Sequence, residues 1–349
     1  MTSERKYIPV SFFGIAVGAL AWGHAWRVAT QVWALPPLLA QLAAAVGLLI
    51  WLTVLLAYGL KWWQQRQAAR LELDHPVLSA MAALGPVSTL LAAMTLQPWV
   101  PELAWALFGL ALGAQLLLGL WLVGRFWQGG RAAETINASV YLPAVAQNFV
   151  AATASATLGW TTLGTLFFGA GVFSWLALQP LVLGRAATLA PLAPAQRPLQ
   201  GIELAPPVVG GLSYLALTSG PPDLLAKMLL GYGLYQGLLA LRLLPWTRQA
   251  GFAPTYWAFS FGVMALATMA LRFLERAPQE QLWQYLAPLA FAVANGVMAL
   301  LLWHTAALAR QGRLLPAAPA SGATSVGSGG GSSGGSSGGS VAGPGGGPS

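Results

Sequence analysis

Ten stretches of this chain are apolar over lengths close to the roughly 20 residues that a helix needs to cross a bilayer. They lie near 8–26, 37–62, 77–97, 102–124, 139–159, 162–184, 202–219, 222–244, 255–273 and 282–308. No other feature restricts the fold so tightly. The 349 residues are 56% hydrophobic and only 7% charged, against about 25% charged in a soluble domain. A water-soluble fold cannot bury so much apolar surface, so the reading is an all-α, polytopic membrane protein.

The links between the stretches alternate between basic and nearly uncharged. With the N-terminus placed in the cytoplasm, only Arg27, Lys227, Arg272 and Arg276 of the 17 Lys and Arg fall near the far face. This asymmetry is the positive-inside pattern, and it requires an even number of spans. The net charge of +8 is thereby explained by topology before nucleic acid need be considered. The opening "MTSERKYIPVSFFGIAVGALAW" has a basic start, but its apolar run outlasts that of a signal peptide, so it is read as a retained first span. Without cysteine, disulfides, thiol catalysis and thiolate metal sites are excluded.

The odd-numbered stretches begin near 8, 77, 139, 202 and 255, which gives a repeating helical hairpin of about 50 to 70 residues. They also carry the helix breakers: Gly14 and Gly18, Gly85-Pro86, Pro143, Pro206-Pro207 with Gly210-Gly211, and Gly262. The even stretches are plainer, as in "LLIWLTVLLAYGLKWW". Broken backbone at membrane depth survives only where protein or water satisfies the freed polar groups. The odd helices are therefore expected inside and the even ones against lipid. Residues 1–315 form the membrane domain. From 316 to 349 the Gly/Ser/Pro-rich chain has too little apolar surface to offset its ordering entropy, and is expected to be a disordered tail.

Motifs of enzyme chemistry are missing: no HExxH, no P-loop and no Ser-His-Asp context. His24, His75 and His304 lack ligand spacing, and no cofactor or metal is expected. Acidic residues fall at span ends or in loops, with Glu203, at the start of the seventh span, the nearest to an exception. A proton- or sodium-coupled carrier ordinarily buries such a group near the bilayer centre. An inner wall without fixed charge at its centre suits passive movement of anions, selected by dehydration and pore width. Asn148 either bonds across helices or lines the pore. Thr153, Ser155 and Thr157 either donate to an anion or bond their own helix backbone. In "YWAFSFGVMALATMALRF", Phe259 and Phe261 lie about 200° apart around a helix and cannot share a face. Gly262 beside them serves either packing or a movable ring.

Seven collinear segments, "VSFFGIAVGAL", "DHPVLSAMAALGPVSTL", "WQGG", "YLPAVAQNF", "LFFGAGVFSW", "GYGLYQGLLALRLLPW" and "WAFSFG", resemble the tellurite-resistance/dicarboxylate transporter family. That family includes the slow-type anion channels of plant guard cells and the yeast malate and sulfite transporters. The resemblance covers roughly residues 7 to 310. It implies ten helices in five hairpins with pseudo-fivefold arrangement, odd helices around a central pore, and a homotrimer in the bacterial inner membrane. It also implies a phenylalanine that blocks the pore from the ninth helix, and the matching position is Phe261, with Gly262 leaving room beside it. Phe13, Gly14, Gly18, Pro86, Pro143, Asn148, Phe149, Pro206 and Gly210 are read as pore-wall or kink positions. Where the family often has Gly-Ile-Pro, this chain has Gly14-Ile15-Ala16, which leaves Gly14 and Gly18 to loosen the first helix.

The expectation is an anion channel or passive transporter, not an enzyme, whose partners are small inorganic or organic anions and the lipid bilayer. A proton-coupled exporter or uptake carrier for oxyanions or dicarboxylates, titrating at Glu203, is one alternative. A membrane protein with a permanently closed pore is another. A reporter fused after Arg313 should be active in the cytoplasm; periplasmic activity would contradict the even number of spans.

Overall fold

The computed structural model describes residues 7–315, and every regular element among them is helical. In chain order these are α1 (Phe13–Val32), α2 (Pro37–Gln64), α3 (Arg66–Asp74), α4 (Leu78–Met81), α5 (Leu84–Leu96) and α6 (Pro101–Trp127). Then come α7 (Gln147–Thr157), α8 (Thr161–Thr188), α9 (Ala205–Leu217), α10 (Leu224–Thr247), α11 (Ala258–Arg276) and α12 (Gln281–Arg310). The tail expected from 316 to 349 lies outside the described residues.

Seven helical stretches among the described residues are long and apolar enough to cross a bilayer: α2, Leu78–Leu96, α6, α8, Leu224–Ala250, Pro254–Arg276 and α12. Three of the ten expected spans fall short of that measure for separate reasons. The 20 residues of α1 are interrupted by His24 and Arg27. At 11 and 13 residues, α7 and α9 are too short alone. Each follows a tighter or wider helical stretch: 3₁₀ and π turns over Ala138–Tyr141 and Leu142–Ala146 before α7, and a 3₁₀ run over Pro194–Leu204 before α9.

Proline explains those junctions. Pro143, Pro206 and Pro86 lie in the first turns of the π-helical stretch, α9 and α5. There the missing N–H is among the groups a helix start leaves unbonded anyway. Each of these prolines stands near the start of its element, after a turn, a 3₁₀ stretch or a 3₁₀ run. The prolines inside α-helices, Pro180, Pro245 and Pro288, are on α8, α10 and α12, and Pro198 lies within the 3₁₀ run before α9.

Burial sorts the helices into two shells. In the apolar windows of α2, α6, α8, α10 and α12 only 22% to 33% of residues are buried, against 78% for Leu78–Leu96 and 61% for Pro254–Arg276. The inner helices α1, α5, α7, α9 and α11 each touch the next, and α11 returns to α1, so the contacts close into a ring. Each inner helix packs on the outer helix that follows it in the chain. The odd stretches are thus inside and the even ones outside, as their breakers implied.

Small residues set the distance between the shells. A Cβ on Gly47 of α2 would stand 2.9 Å from the Ala19 carbonyl oxygen and 3.1 Å from Leu20 Cα. Without a hydrophobic driving force between helices in lipid, such close approach, with a few polar bonds, holds the pair together. One such bond is at Asn295 of α12, whose Oδ1 accepts from Trp22 Nε1 (2.8 Å) and Trp26 Nε1 (3.0 Å) of α1. At the chain's entry, Lys61 and Glu72 form a buried ion pair of 2.7 Å. Val10 N–H donates to Glu72 (3.3 Å) and Lys61 donates to the Ile8 carbonyl (3.3 Å). Glu72, expected in a loop, instead fastens the segment that leads into α1.

Gly47→Val should force α1 and α2 apart and destabilise the protein by about 1–3 kcal/mol, as overpacking typically does. Gly109→Ala, where an added Cβ meets nothing within 4 Å, should be neutral or stabilising by up to about 1 kcal/mol. Thermal unfolding in detergent separates the two.

Candidate functional site

The five inner helices run in the same direction, and their ring encloses two cavities in tandem. The first, about 330 Å³, is lined from the N-terminal sides: Ser11, Gly14 and Val17 from the start of α1, Leu78 to Leu84 before and within α5, Leu142 and Ala146 before α7, Ile202 and Ala205 at α9, and Trp257 and Ala258 at α11. The second, about 360 Å³, is lined by the C-terminal sides of the same helices, including Ala21 and Val28, Leu91 and Met94, Val150 and Thr157, Val209 and Ala216, and Ala265 and Arg272. Along each helix the lining residues recur every three or four positions, as one face of an α-helix must. Phe261 is the one side chain that belongs to both walls. It is half-buried.

Phe259, two residues earlier, goes elsewhere. Its ring lies over Gly201, where any Cβ would strike it, and it borders a lateral cavity with Phe252 and His304. The two rings therefore occupy different faces, as the helix angle required.

Of the other expected pore-wall or kink positions, Gly14 lines the first cavity. Several glycines act as notches for a neighbour. A Cβ on Gly18 would collide with Ser260 and Trp257 of the α11 segment, and one on Gly210 would stand 2.9 Å from the Phe149 ring. Gly262, expected to leave space beside Phe261, instead receives Leu204: an added Cβ would be 3.0 Å from that side chain and 3.2 Å from the Ala205 nitrogen. It sets the approach of α11 to α9.

Phe13 and Phe149 are not in either cavity wall. Phe13 is 3% exposed and meets Tyr58 edge-on, with ring centroids 5.4 Å apart. Phe149 is 1% exposed, between α7, α8 and α9, against Phe168, Gly171 and Gly210. Large rings fill the spaces between helices because the glycines opposite them make room. Pro143 borders a separate cavity of about 200 Å³ with Asp74, Arg125 and Arg131, where burial holds the Arg131 guanidinium below its ordinary range. Pro86 is half-buried and Pro206 fully buried. Asn148 turns its amide onto its own helix, Nδ2 donating to the Ala144 carbonyl at 2.6 Å.

The hydroxyls of the path also bond their own backbones: Thr153 to Phe149 (3.1 Å), Thr157 to Thr153 (2.8 Å) and Thr268 to Met264 (2.8 Å). Glu203 lies outside both central cavities. It accepts from Tyr141 Oη and Gln179 Nε2, both at 3.4 Å, and borders a side cavity with Arg185 and Gln236.

Charge in the two cavities is unequal. No Asp or Glu lines either one. The first has no Lys or Arg and carries only His75 among ionisable groups, whereas the second gathers His24, Arg27, Arg272 and Arg276. These arginines were legible only as topological exceptions, and nothing in their spacing revealed that α1 and α11 would bring them together. Arg27 donates to the Met94 (3.2 Å) and Thr95 (2.9 Å) carbonyls, and Arg276 to those of Leu215 (2.5 Å) and Thr218 (3.1 Å). Arg272 pairs with Glu275 at 2.7 Å. His24 Nε2 lies 3.2 Å from the Leu91 carbonyl and 3.1 Å from Thr95 Oγ1.

With this geometry in place, comparison with known proteins adds two findings. Residues 7–306 match the model of the SLAC1 family, described as voltage-dependent anion channel. A tellurite resistance protein TehA homolog of Haemophilus influenzae is 36% identical over 267 residues, which cover 76% of this chain and 81% of that protein.

Because the Phe149 ring fills a gap between helices, Phe149→Ala should lower stability by about 3–5 kcal/mol. It should leave the sizes of the two central cavities unchanged. Unfolding in detergent checks the first, and a structure of the variant the second.

Proposed function

The chain belongs to the SLAC1 voltage-dependent anion channel family, and from that premise we propose that it is a passive anion channel whose path Phe261 occludes. It works as a homotrimer in the bacterial inner membrane, with ten spans in five pseudo-fivefold hairpins and both termini in the cytoplasm. Small inorganic anions and oxyanions such as tellurite are its cargo. In this orientation the first cavity opens to the cytoplasm and the second to the periplasm.

The observation that carries the reading is the pair of tandem cavities, free of Asp and Glu, that meet at a single aromatic ring. The path has no carboxylate, the group a proton- or sodium-coupled carrier ordinarily buries, and its two histidines, His75 and His24, lie one in each cavity rather than as a relay, which sets the channel above the coupled carrier. The threonine hydroxyls of the walls, committed to backbone carbonyls, leave few neutral donors for tight binding. Passage then depends on how readily an anion sheds water in a narrow, mostly apolar tube, which favours large, weakly hydrated anions. The ring of Phe261 closes that tube, and turning it into either cavity opens it.

The test is anion flux through purified protein in liposomes. Phe261→Ala should stay folded and conduct anions severalfold faster than wild type, because its ring borders open volume on both sides. Its stability cost should fall well below the roughly 3–5 kcal/mol of a core phenylalanine. Phe259→Ala, on the lateral face, should lower stability without raising flux. A conducting Phe259→Ala beside a silent Phe261→Ala would assign the gate to the other ring.

A further inference from the structure

The two cavities are lined by opposite ends of five parallel helices, and that difference has an electrostatic consequence. A helix carries roughly +0.5 charge at its N-terminus and −0.5 at its C-terminus, concentrated in the first and last turns. The N-terminal sides of α1, α9 and α11, each entered through a 3₁₀ stretch (Val10–Phe12, Pro194–Leu204 and Pro254–Trp257), face the first cavity through Ser11 and Gly14, Ala195 and Ala205, and Pro254 and Ala258. The last turns of α5, α7, α9 and α11, through Met94, Thr157, Ala216 and Arg276, face the second. The backbone alone therefore welcomes an anion at one end of the path and repels it at the other.

The ionisable side chains are distributed to oppose that repulsion. The cavity with N-terminal turns has no Lys or Arg, and the cavity with C-terminal turns has three arginines. Arg27 and Arg276 donate to carbonyls at the C-terminal ends of α5 and α9, the groups that carry the negative end of each dipole. Acids near this end are held outside the cavity wall: Glu280 pairs with Lys227, Glu275 with Arg272, Asp223 caps α10, and Glu102 lies in the first turn of α6. Charge at this end is thus sorted, with cations inward and anions outward.

We propose that Arg27, Arg272 and Arg276 make the second cavity passable to anions by cancelling the converging C-terminal dipoles of the inner helices. The first cavity needs no such residues because helix N-termini already supply the positive potential. The arginines are selectivity determinants that act through the field in the cavity: Arg27 and Arg276 are fastened to carbonyls and Arg272 to Glu275. The inference rests on reading the two cavities as an anion path, and its test does not require conduction.

The chain has no cysteine, so a single introduced thiol is a unique probe. Ala216→Cys reports on the second cavity and Ala195→Cys on the first; both positions are exposed cavity-lining alanines. The measurement is the rate of modification by an anionic against a cationic methanethiosulfonate reagent, relative to a free thiol, in the purified full chain. In the Ala216→Cys protein, Arg27→Gln and Arg276→Gln should each shift the ratio toward the cationic reagent by at least about fivefold at low salt, since cavity potentials reach several kT. Lysine in place of either arginine should restore it, and about 1 M salt should erase the shift. In the Ala195→Cys protein the same arginine substitutions should leave the ratio unchanged. Arg272→Gln, whose partner is a side chain rather than backbone, carries the same prediction should the other two variants fold poorly. A folded arginine variant with an unchanged ratio at the second-cavity thiol would overturn the proposal. A silent Phe261→Ala with the expected thiol ratios would instead fault the channel reading and leave the cavity electrostatics standing.

Discussion

In hydrocarbon a backbone N–H or C=O has no water to bond, and leaving one unpaired costs several kcal/mol. The architecture follows from that constraint. A path through this protein has to be walled by helices whose backbones are already satisfied, and only side chains are left to shape it. The five inner helices meet the requirement with narrow faces of small residues such as Ala21, Val17, Ala146, Ala205 and Ala265, which leave a lumen where larger ones would fill it. Thr153, Thr157 and Thr268 direct their hydroxyls to carbonyls of their own helices, and Thr255 directs its own to the Ala195 carbonyl. What remains is a pair of cavities that share the Phe261 ring in their walls.

The same backbone that walls the path also charges it. Parallel helices place all their N-terminal turns at one end, and the arrangement of Arg27, Arg272 and Arg276 at the other end is intelligible as its complement. Gly18, Gly47, Gly210 and Gly262 act at a different level: they fix how closely helices approach, and so how wide the ring can be. Helix packing and the lining of the cavities therefore fall to different residues on the same helices, and often to positions only one or two apart, as with Gly262 and Phe261.

That division explains what the sequence revealed and what it hid. Apolar length, charge alternation and the clustering of Gly and Pro in odd stretches identified a two-shell helical membrane protein, because each depends on residue type alone. The rotational phase of each helix does not. A glycine in a membrane helix serves equally as a notch for a neighbour or as part of a lumen: Gly14 borders the first cavity, while Gly18 and Gly210 receive the side chains of neighbouring helices. Phe13 and Phe149 shared the aromatic character of Phe261, but they pack between helices. The arginines of the second cavity were invisible for another reason. Arg27 is distant in sequence from Arg272 and Arg276, and a topological count treats each as a lone exception rather than as one member of a group.

The central claim is that this tube, closed by one ring and lacking acids, admits anions and excludes cations. The most direct measurement is the reversal potential of the current through Phe261→Ala in a planar bilayer under a potassium chloride gradient. The account predicts a value close to the chloride equilibrium potential. A value near zero, or near that of potassium, would contradict it.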